Sequence, residues 1–253
     1  MNEMPDLSII VPAYNEALRL PPTLKRMVEN LRKDFPGTFE IIVLDDGSKD
    51  TTSAVAAEFA SQHKEVSLIT NKENRGRGFV MQQGVLGAKG RYILDTDADG
   101  SVADEAIHRF YRYIESHNDV DMIIGSRNME GAKILVDQPL LRVLLGYIFM
   151  ILAWTLFRWR FVDRVNGFKF FRREVAHDVF AHLHENTFFG EAEVTYVTDR
   201  RGWHVKELPV FWSDNCDSRI RPWRESYRSF TGMFRILLRD WKGEYSKNLM
   251  GRV

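Results

Sequence analysis

The stretch YILDTDADGS, residues 92–101, sets Asp95, Asp97 and Asp99 at alternate positions directly behind an apolar run. Carboxylates this close repel one another unless a cation sits among them. One reading is the calcium loop D-x-D-x-D-G, which needs a bidentate Glu at its twelfth position. Counting from Asp95, that position is Ala106 and Glu105 falls one place short. The preceding segment is also strand-like rather than helical, so the calcium loop fails. A second reading is a solvated Asp-rich turn, because Asp and Gly favour turns. A third is a metal–diphosphate site, in which two carboxylates at i and i+2 share one Mg2+ or Mn2+. Such hard ions take oxygen ligands and keep substrate phosphates in their shell. The ion would neutralise a departing nucleoside diphosphate. In an extended segment all three aspartates share one face, so spacing alone does not select a pair.

The elements that must position these carboxylates alternate in type. LSIIVPAY, FEIIVLDDGS, VSLITN, GRYILDTD and DMIIGSR read as strands. PPTLKRMVENLRKDF, TTSAVAAEFASQH, GFVMQQGVLGA and DEAIHRFYRYIESH read as helices between them. This alternation predicts right-handed βαβ crossovers and a parallel sheet, whose ligands gather at the carboxyl ends of the strands. Each polar cluster follows a strand: AYNE, DDGS, NRGRG, DTDADG and GSR. That shared placement predicts one active crevice. The second half is less regular, with a strand pattern in HVKELPVFW and a helical one in WRESYRSFTGMFRILLRDW. With no repeat, low-complexity tract or linker, one domain over residues 1–245 and a tail at 246–253 are expected.

Composition narrows the classes. The 253 residues are 44% hydrophobic, with Lys+Arg and Asp+Glu balanced at 35 each. A net charge near zero argues against a nucleic-acid partner that needs a strong global field. The single cysteine, Cys216, excludes an internal disulfide and a Cys-based zinc site, and fits a reducing, intracellular setting. The seven histidines show no metal-binding spacing, and no G-x-S-x-G or P-loop is present. The N-terminus lacks a basic region followed by a long apolar core, so no signal peptide is expected. The longest charge-free stretch, Val143–Phe157, is shorter than the roughly 18–20 apolar residues that span a bilayer.

Taken in order, IIVPAYNE, IIVLDDGSKDTT, NRGRG, DTDADG and IIGSR resemble the GT-A glycosyltransferases of family 2. The resemblance extends through RVNGFKFFRREV, EAEV, LPVFW and DSRI, about residues 6–240, and is strongest to the dolichyl-phosphate glucosyltransferase branch, beside the dolichyl-phosphate mannose synthases. It implies the α/β GT-A fold, a mostly parallel central sheet flanked by helices. It also implies roles for particular residues. Pro12, Tyr14, Glu16, Asp45 and Asp46 would hold the nucleobase and ribose, with Asp46 favoured over Asp45. The family's D-x-D falls on Asp97 and Asp99, which would bind Mg2+ or Mn2+, leaving Asp95 as a supporting neighbour. Arg75 and Arg77 would contact the nucleotide or its phosphates. Arg127 matches an arginine near the acceptor phosphate, and Arg219 and Arg221 lie where a further basic contact is placed. Arginine suits phosphate through its planar fork of donors. Glu191 and Glu193 coincide with acidic family positions, as does Asp163.

The resemblance therefore implies an inverting hexosyltransferase moving glucose from UDP-glucose to a polyprenyl phosphate. A phosphate acceptor needs no base, since its second pKa is about 6. A hydroxyl acceptor would need one, and Glu193 is the candidate; a non-catalytic nucleotide-sugar or metal-binding module is the alternative of another class. Phe230, Phe234, Leu237, Leu238 and Trp241 fall at helical spacing, flanked by Arg228, Arg235 and Arg239. A basic amphipathic helix of this kind suits an anionic membrane surface. Peripheral attachment on the cytoplasmic membrane face is expected. The oligomeric state is left open by the sequence.

Overall fold

The computed structural model describes residues 4–127, 129–134, 155, 163, 166–187, 189–213 and 222–246, with backbone alone at 133–134 and 222–229. The first half follows the alternation. Strands β1 (Leu7–Ala13), β2 (Phe39–Asp45), β3 (Val66–Thr70) and β4 (Tyr92–Asp95) are linked by helices α1 (Leu20–Asp34), α2 (Thr52–Gln62) and α3 (Arg77–Gly87). Next come α4 (Glu105–Ser116), β5 (Met122–Ser126), the short β6 (Lys133–Ile134) and β7 (Lys169–Arg172). Two helices, α5 (Arg173–Phe180) and α6 (Gly190–Arg200), precede β8 (Val205–Pro209), β9 (Phe211–Trp212) and α7 (Pro222–Trp241).

Seven strands form one sheet in the order β3-β2-β1-β4-β7-β5-β8, and β6 pairs with β9 beside it. β1 has β2 on one flank and β4 on the other, both parallel to it. This is where the strand order reverses, and where a ligand crevice opens at the carboxyl edge. β1, β4, β5 and most of β2 are buried on both faces, which explains their continuous apolar runs, while the edge strands β3 and β8 are partly exposed. One face packs Ile9, Val11, Val43 and Leu94 against Leu24 and Val28 of α1 and Phe110 and Ile114 of α4. The other packs Ile10, Leu44, Ile93 and Ile124 against Val80 of α3, Val179 of α5, Val197 of α6 and Met233 of α7. Each fully buried aliphatic or aromatic side chain contributes about 1.5–3 kcal/mol.

β7 departs from the simple βαβ pattern. It runs antiparallel between β4 and β5, with Lys169 opposite both Asp95 and Ile124. No periodicity in NGFKFFRREV announces this strand, because its partners lie far away in sequence. The strand expected over HVKELPVFW divides into β8 and β9. Pro209 has no N–H to donate, which suits its place on the edge strand β8. The charge-free run Val143–Phe157 falls outside the described residues except at Thr155. Among the described residues, no helix is long and apolar enough to cross a membrane.

Candidate active site

The ends of β1 and β2 are stitched together by the protein's own hydrogen bonds. The Asp46 N–H donates to the Ala13 carbonyl at 2.9 Å. Asn15, at φ 57°, donates its N–H to Ser48 Oγ (2.9 Å) and accepts the Lys49 N–H on Oδ1 (2.8 Å). The two aspartates of DDGS then divide the work. Asp45 closes the turn by accepting the Ser48 N–H at 3.1 Å. Asp46 reaches across to the NRGRG loop, its two oxygens accepting the N–H groups of Arg75 and Gly76 at 2.8 Å each. Burial raises the Asp46 carboxyl, and those two amides pull it back only in part.

Around this anchor, Pro12 is half-buried and Tyr14 is exposed at the mouth. Glu16 pairs with Arg19 at 2.5 Å and donates its N–H to Thr52 Oγ1 at 2.7 Å. The Arg75 guanidinium lies 3.5 Å over the Phe79 ring. Gly76 has φ 96°, and a Cβ there would sit 2.2 Å from the Asn186 carbonyl oxygen. Only glycine meets both demands, so the loop packs directly on the segment before α6.

The three aspartates of DTDADG turn out to be inequivalent. Asp95, the last residue of β4, is fully buried and its Oδ1 accepts from Arg77 Nη2 at 3.0 Å. Asp97 Oδ1 accepts from the same Nη2 at 2.9 Å and from Nε at 3.3 Å. The cation among the carboxylates is thus a guanidinium, from the first residue of α3. Its Nη1 donates to Glu191 in the first turn of α6. Glu191 in turn accepts from Lys169 Nζ, a fully buried ammonium that also donates to the Asn166 carbonyl at 2.5 Å. Burial pulls Lys169 down to about 7 against the opposing attraction of Asp95. Burial also lowers Arg77, but Asp95 and Asp97 outweigh it and the guanidinium is raised overall.

Asp99 turns aside, accepting the Ser101 N–H at 3.0 Å and the Ser101 hydroxyl at 2.5 Å. Its carboxyl is raised by burial and then by the charge of Asp97. That mutual repulsion is the observation bearing on a metal, since a divalent ion on both groups would relieve it. Asp97 supplies the open side, 42% exposed, and all the donors are hard oxygens. Among the described residues no three His, Cys, Asp or Glu side chains form a ready metal cluster. Two carboxylates completed by substrate phosphates is how Mg2+ is commonly held, and Asp97 with Asp99 fits that pattern.

Other expected site residues have partners of their own. The Arg127 fork is committed to Asp163, with Nε–Oδ2 and Nη2–Oδ1 both at 2.8 Å, and the guanidinium lies 5.3 Å from the Trp212 ring centre. Asp163, itself one of the acidic positions of the resemblance, thus orients the fork of Arg127. Glu193 lies within the fold. It is fully buried, Oε2 accepts the N–H groups of His184 (2.9 Å) and Glu185 (2.8 Å), and Oε1 accepts the Tyr245 hydroxyl at 2.5 Å. It braces the segment on which Gly76 packs and is not among the groups meeting Arg77. Arg219 and Arg221 lie outside the described residues.

Sequence reasoning gave Asp95 only a supporting place and did not single out Lys169. A signal for Lys169 was present, a lysine enclosed by Phe168, Phe170 and Phe171. On α7, Met233 and Ile236 face the core, while Phe230, Phe234, Leu238 and Trp241 face outward at 45, 48, 53 and 85% exposure. Leu237, expected in the outward stripe, packs against the core instead. Arg235 is bound to Glu185 at 2.6 Å, which ties α7 to the same segment that Glu193 braces.

Comparison with known proteins gives concordant results. The family described as Glycosyl transferase family 2 matches residues 8–180. A dolichyl-phosphate beta-glucosyltransferase of Dictyostelium discoideum is 32% identical over 249 residues, covering 93% of this chain and 76% of the relative. The Homo sapiens protein of the same name is 32% identical over 226 residues, covering 85% and 70%. Among solved structures, glucosyl-3-phosphoglycerate synthase from Mycobacterium tuberculosis, with Mn2+, UDP-Glc and phosphoglyceric acid, superposes with TM-score 0.66 at 15% identity over 92% of this chain and 79% of that one. The mannosyltransferase PcManGT from Pyrobaculum calidifontis, with GDP-Man and Mn2+, gives TM-score 0.61 at 18% identity, covering 94% and 65%. At these identities the solved structures establish the shared GT-A fold.

Proposed function

The chain belongs to glycosyl transferase family 2, and from that premise we propose that it moves glucose from UDP-glucose to the phosphate of a polyprenyl carrier, with inversion at the anomeric carbon. The observation that carries this reading is the continuity of one loop across two sites. Asp46 fixes the amides of Arg75 and Gly76, and the next residue, Arg77, reaches Asp95 and Asp97. A nucleoside bound beside Asp46 would therefore extend its diphosphate towards Asp97. Glucose and the lipid phosphate are favoured by the names of the relatives that match most of the chain.

Each step follows from groups already described. Pro12, Tyr14, Glu16, Asp45 and Asp46 line the nucleoside end. Arg75 and Arg77 stand beside the diphosphate path, where Asp97 and Asp99 would hold Mg2+ or Mn2+. That ion supplies charge neutralisation for the leaving diphosphate. An oxygen of the acceptor phosphate attacks the anomeric carbon as the bond to the diphosphate breaks, and the electron pair leaves on the diphosphate oxygen. No proton moves, because the phosphate monoester is already largely dianionic. Glu193, fixed by two amides and a tyrosine hydroxyl, is accordingly not required as a base. Arg127 is assigned to the acceptor phosphate, with Arg219 and Arg221 as further basic contacts. The outward face of α7 rests on the cytoplasmic surface of a membrane, where the carrier resides.

The test is a panel of radiolabelled nucleotide sugars offered with polyprenyl phosphate, followed by organic extraction. Label in the lipid phase from UDP-glucose is expected. Label only in water-soluble product overturns the lipid acceptor, and preference for GDP-mannose overturns the donor. No release of nucleoside diphosphate with any acceptor overturns the enzymatic reading.

A further inference from the structure

We propose that Arg77 is an exchangeable counter-ion, holding Asp95 and Asp97 and swinging onto the donor's diphosphate when a divalent ion takes its place. The inference rests on the functional reading above and adds a switch to it.

Geometry supplies the first argument. One guanidinium serves three carboxylates, giving Nη2 to Asp95 and Asp97, Nε to Asp97, and Nη1 to Glu191. Both bonds from Arg77 to Asp97 fall on Oδ1, so that oxygen is spent on Arg77 while the pair persists. A cation ligated by Asp97, through either oxygen, shares that carboxylate with the guanidinium. Two positive groups on one carboxylate repel, and the repulsion grows as water is excluded from between them.

The second argument is what stays behind. The Arg77 backbone follows a loop held by Asp46, so a swing requires the side chain alone. Glu191 is held in place by Lys169, whose own position is fixed by strand pairing opposite Asp95. Glu191 thus serves as a fixed pivot for Nη1, while Nε and Nη2 change partners. Among the described residues, the buried Asp95 Oδ2 has no hydrogen-bond partner, so Arg77 satisfies that carboxylate only in part. Gly167 keeps the space open, since a Cβ there would lie 2.7 Å from Asp97 Oδ2 and 2.8 Å from Arg77 Nη2. A planar fork that releases a carboxylate is well matched to a diphosphate.

The proposal predicts effects of opposite sign from one substitution. Mn2+ binding to the full chain is followed by the electron paramagnetic resonance of the free ion, with and without UDP. UDP binding is followed by calorimetry at saturating Mn2+. For Arg77→Met, Mn2+ affinity without UDP should rise about tenfold, while UDP affinity should fall by a similar factor, removing much of the mutual enhancement of the two ligands. A merely structural arginine would lower both affinities together, and that result overturns the exchange. Should Arg77→Met fail to fold, Arg77→Lys keeps the charge but loses the fork, and the same signs are expected with smaller amplitude. An unchanged Mn2+ affinity in folded Arg77→Lys also overturns it. If the wild-type chain binds UDP and Mn2+ normally but neither variant shifts the balance, this inference fails alone. If the wild-type chain binds no Mn2+ even with UDP, the metal assignment fails with it.

Discussion

The carboxylates at the two ends of the crevice are satisfied by different means. Asp46 is held by two backbone N–H groups, which cannot move without moving the loop. Asp97 is held by the side chain of Arg77, which can rotate away. Backbone donors build a fixed surface, whereas a side-chain cation builds an exchangeable one. The contrast suits a donor whose nucleoside must be recognised in one geometry and whose diphosphate arrives with its own counter-ion.

The largest expected effect lies at the exchangeable end. Asp97→Ala and Asp99→Ala should each lower kcat by about a hundredfold or more, as expected when charge stabilisation of a leaving group is lost. UDP binding measured without metal should change little, and normal turnover in either variant would remove the contrast. At the fixed end, Asp46→Ala leaves two amides unpaired and should destabilise the fold by about 1–3 kcal/mol. It should also weaken UDP binding in the presence and absence of metal, read by denaturant unfolding and calorimetry. A loss confined to kcat would place Asp46 with the diphosphate instead.

Glu193 sharpens the comparison, since it too is held largely by backbone. Glu193→Ala should cost about 1–3 kcal/mol. Glu193→Gln, which can still accept the two amides and donate to Tyr245, should keep near-wild-type turnover and melting temperature. A general base would lose turnover in the glutamine variant. The smallest effect is expected on α7. Replacing exposed Phe234 and Trp241 together by Ser should leave stability within about 0.5 kcal/mol per site, as is usual for exposed positions. The same pair should reduce co-sedimentation with anionic lipid vesicles; unchanged sedimentation would argue against α7 as the membrane contact.

Much of the first half was legible from local pattern. Continuous apolar runs in SIIV, IIVL and MII mark strands buried on both faces, and their polar followers mark the active edge. α1 shows its buried stripe at Leu20, Leu24, Met27, Val28 and Leu31 with prolines in its first turn. The second half was harder because its decisive contacts are non-local. β7 carries no period of its own and takes its place by pairing with β4 and β5. HVKELPVFW looks like one strand, but its two parts join different sheets.

The sequence by itself determined the fold class, the carboxyl edge and the residue types gathered there, because periodicity and strand-end chemistry are local properties. It did not decide which charges meet. Lys169 lies opposite Asp95 only because an antiparallel strand enters a parallel sheet. Glu191 and Arg77 meet across 114 positions of sequence because the first turns of α3 and α6 converge on one face. Charges interact through space with a strength set by distance and burial. Only the tertiary structure, which fixes both, could separate Asp95, Asp97 and Asp99 into an anchor, an exchange site and a partner of Ser101.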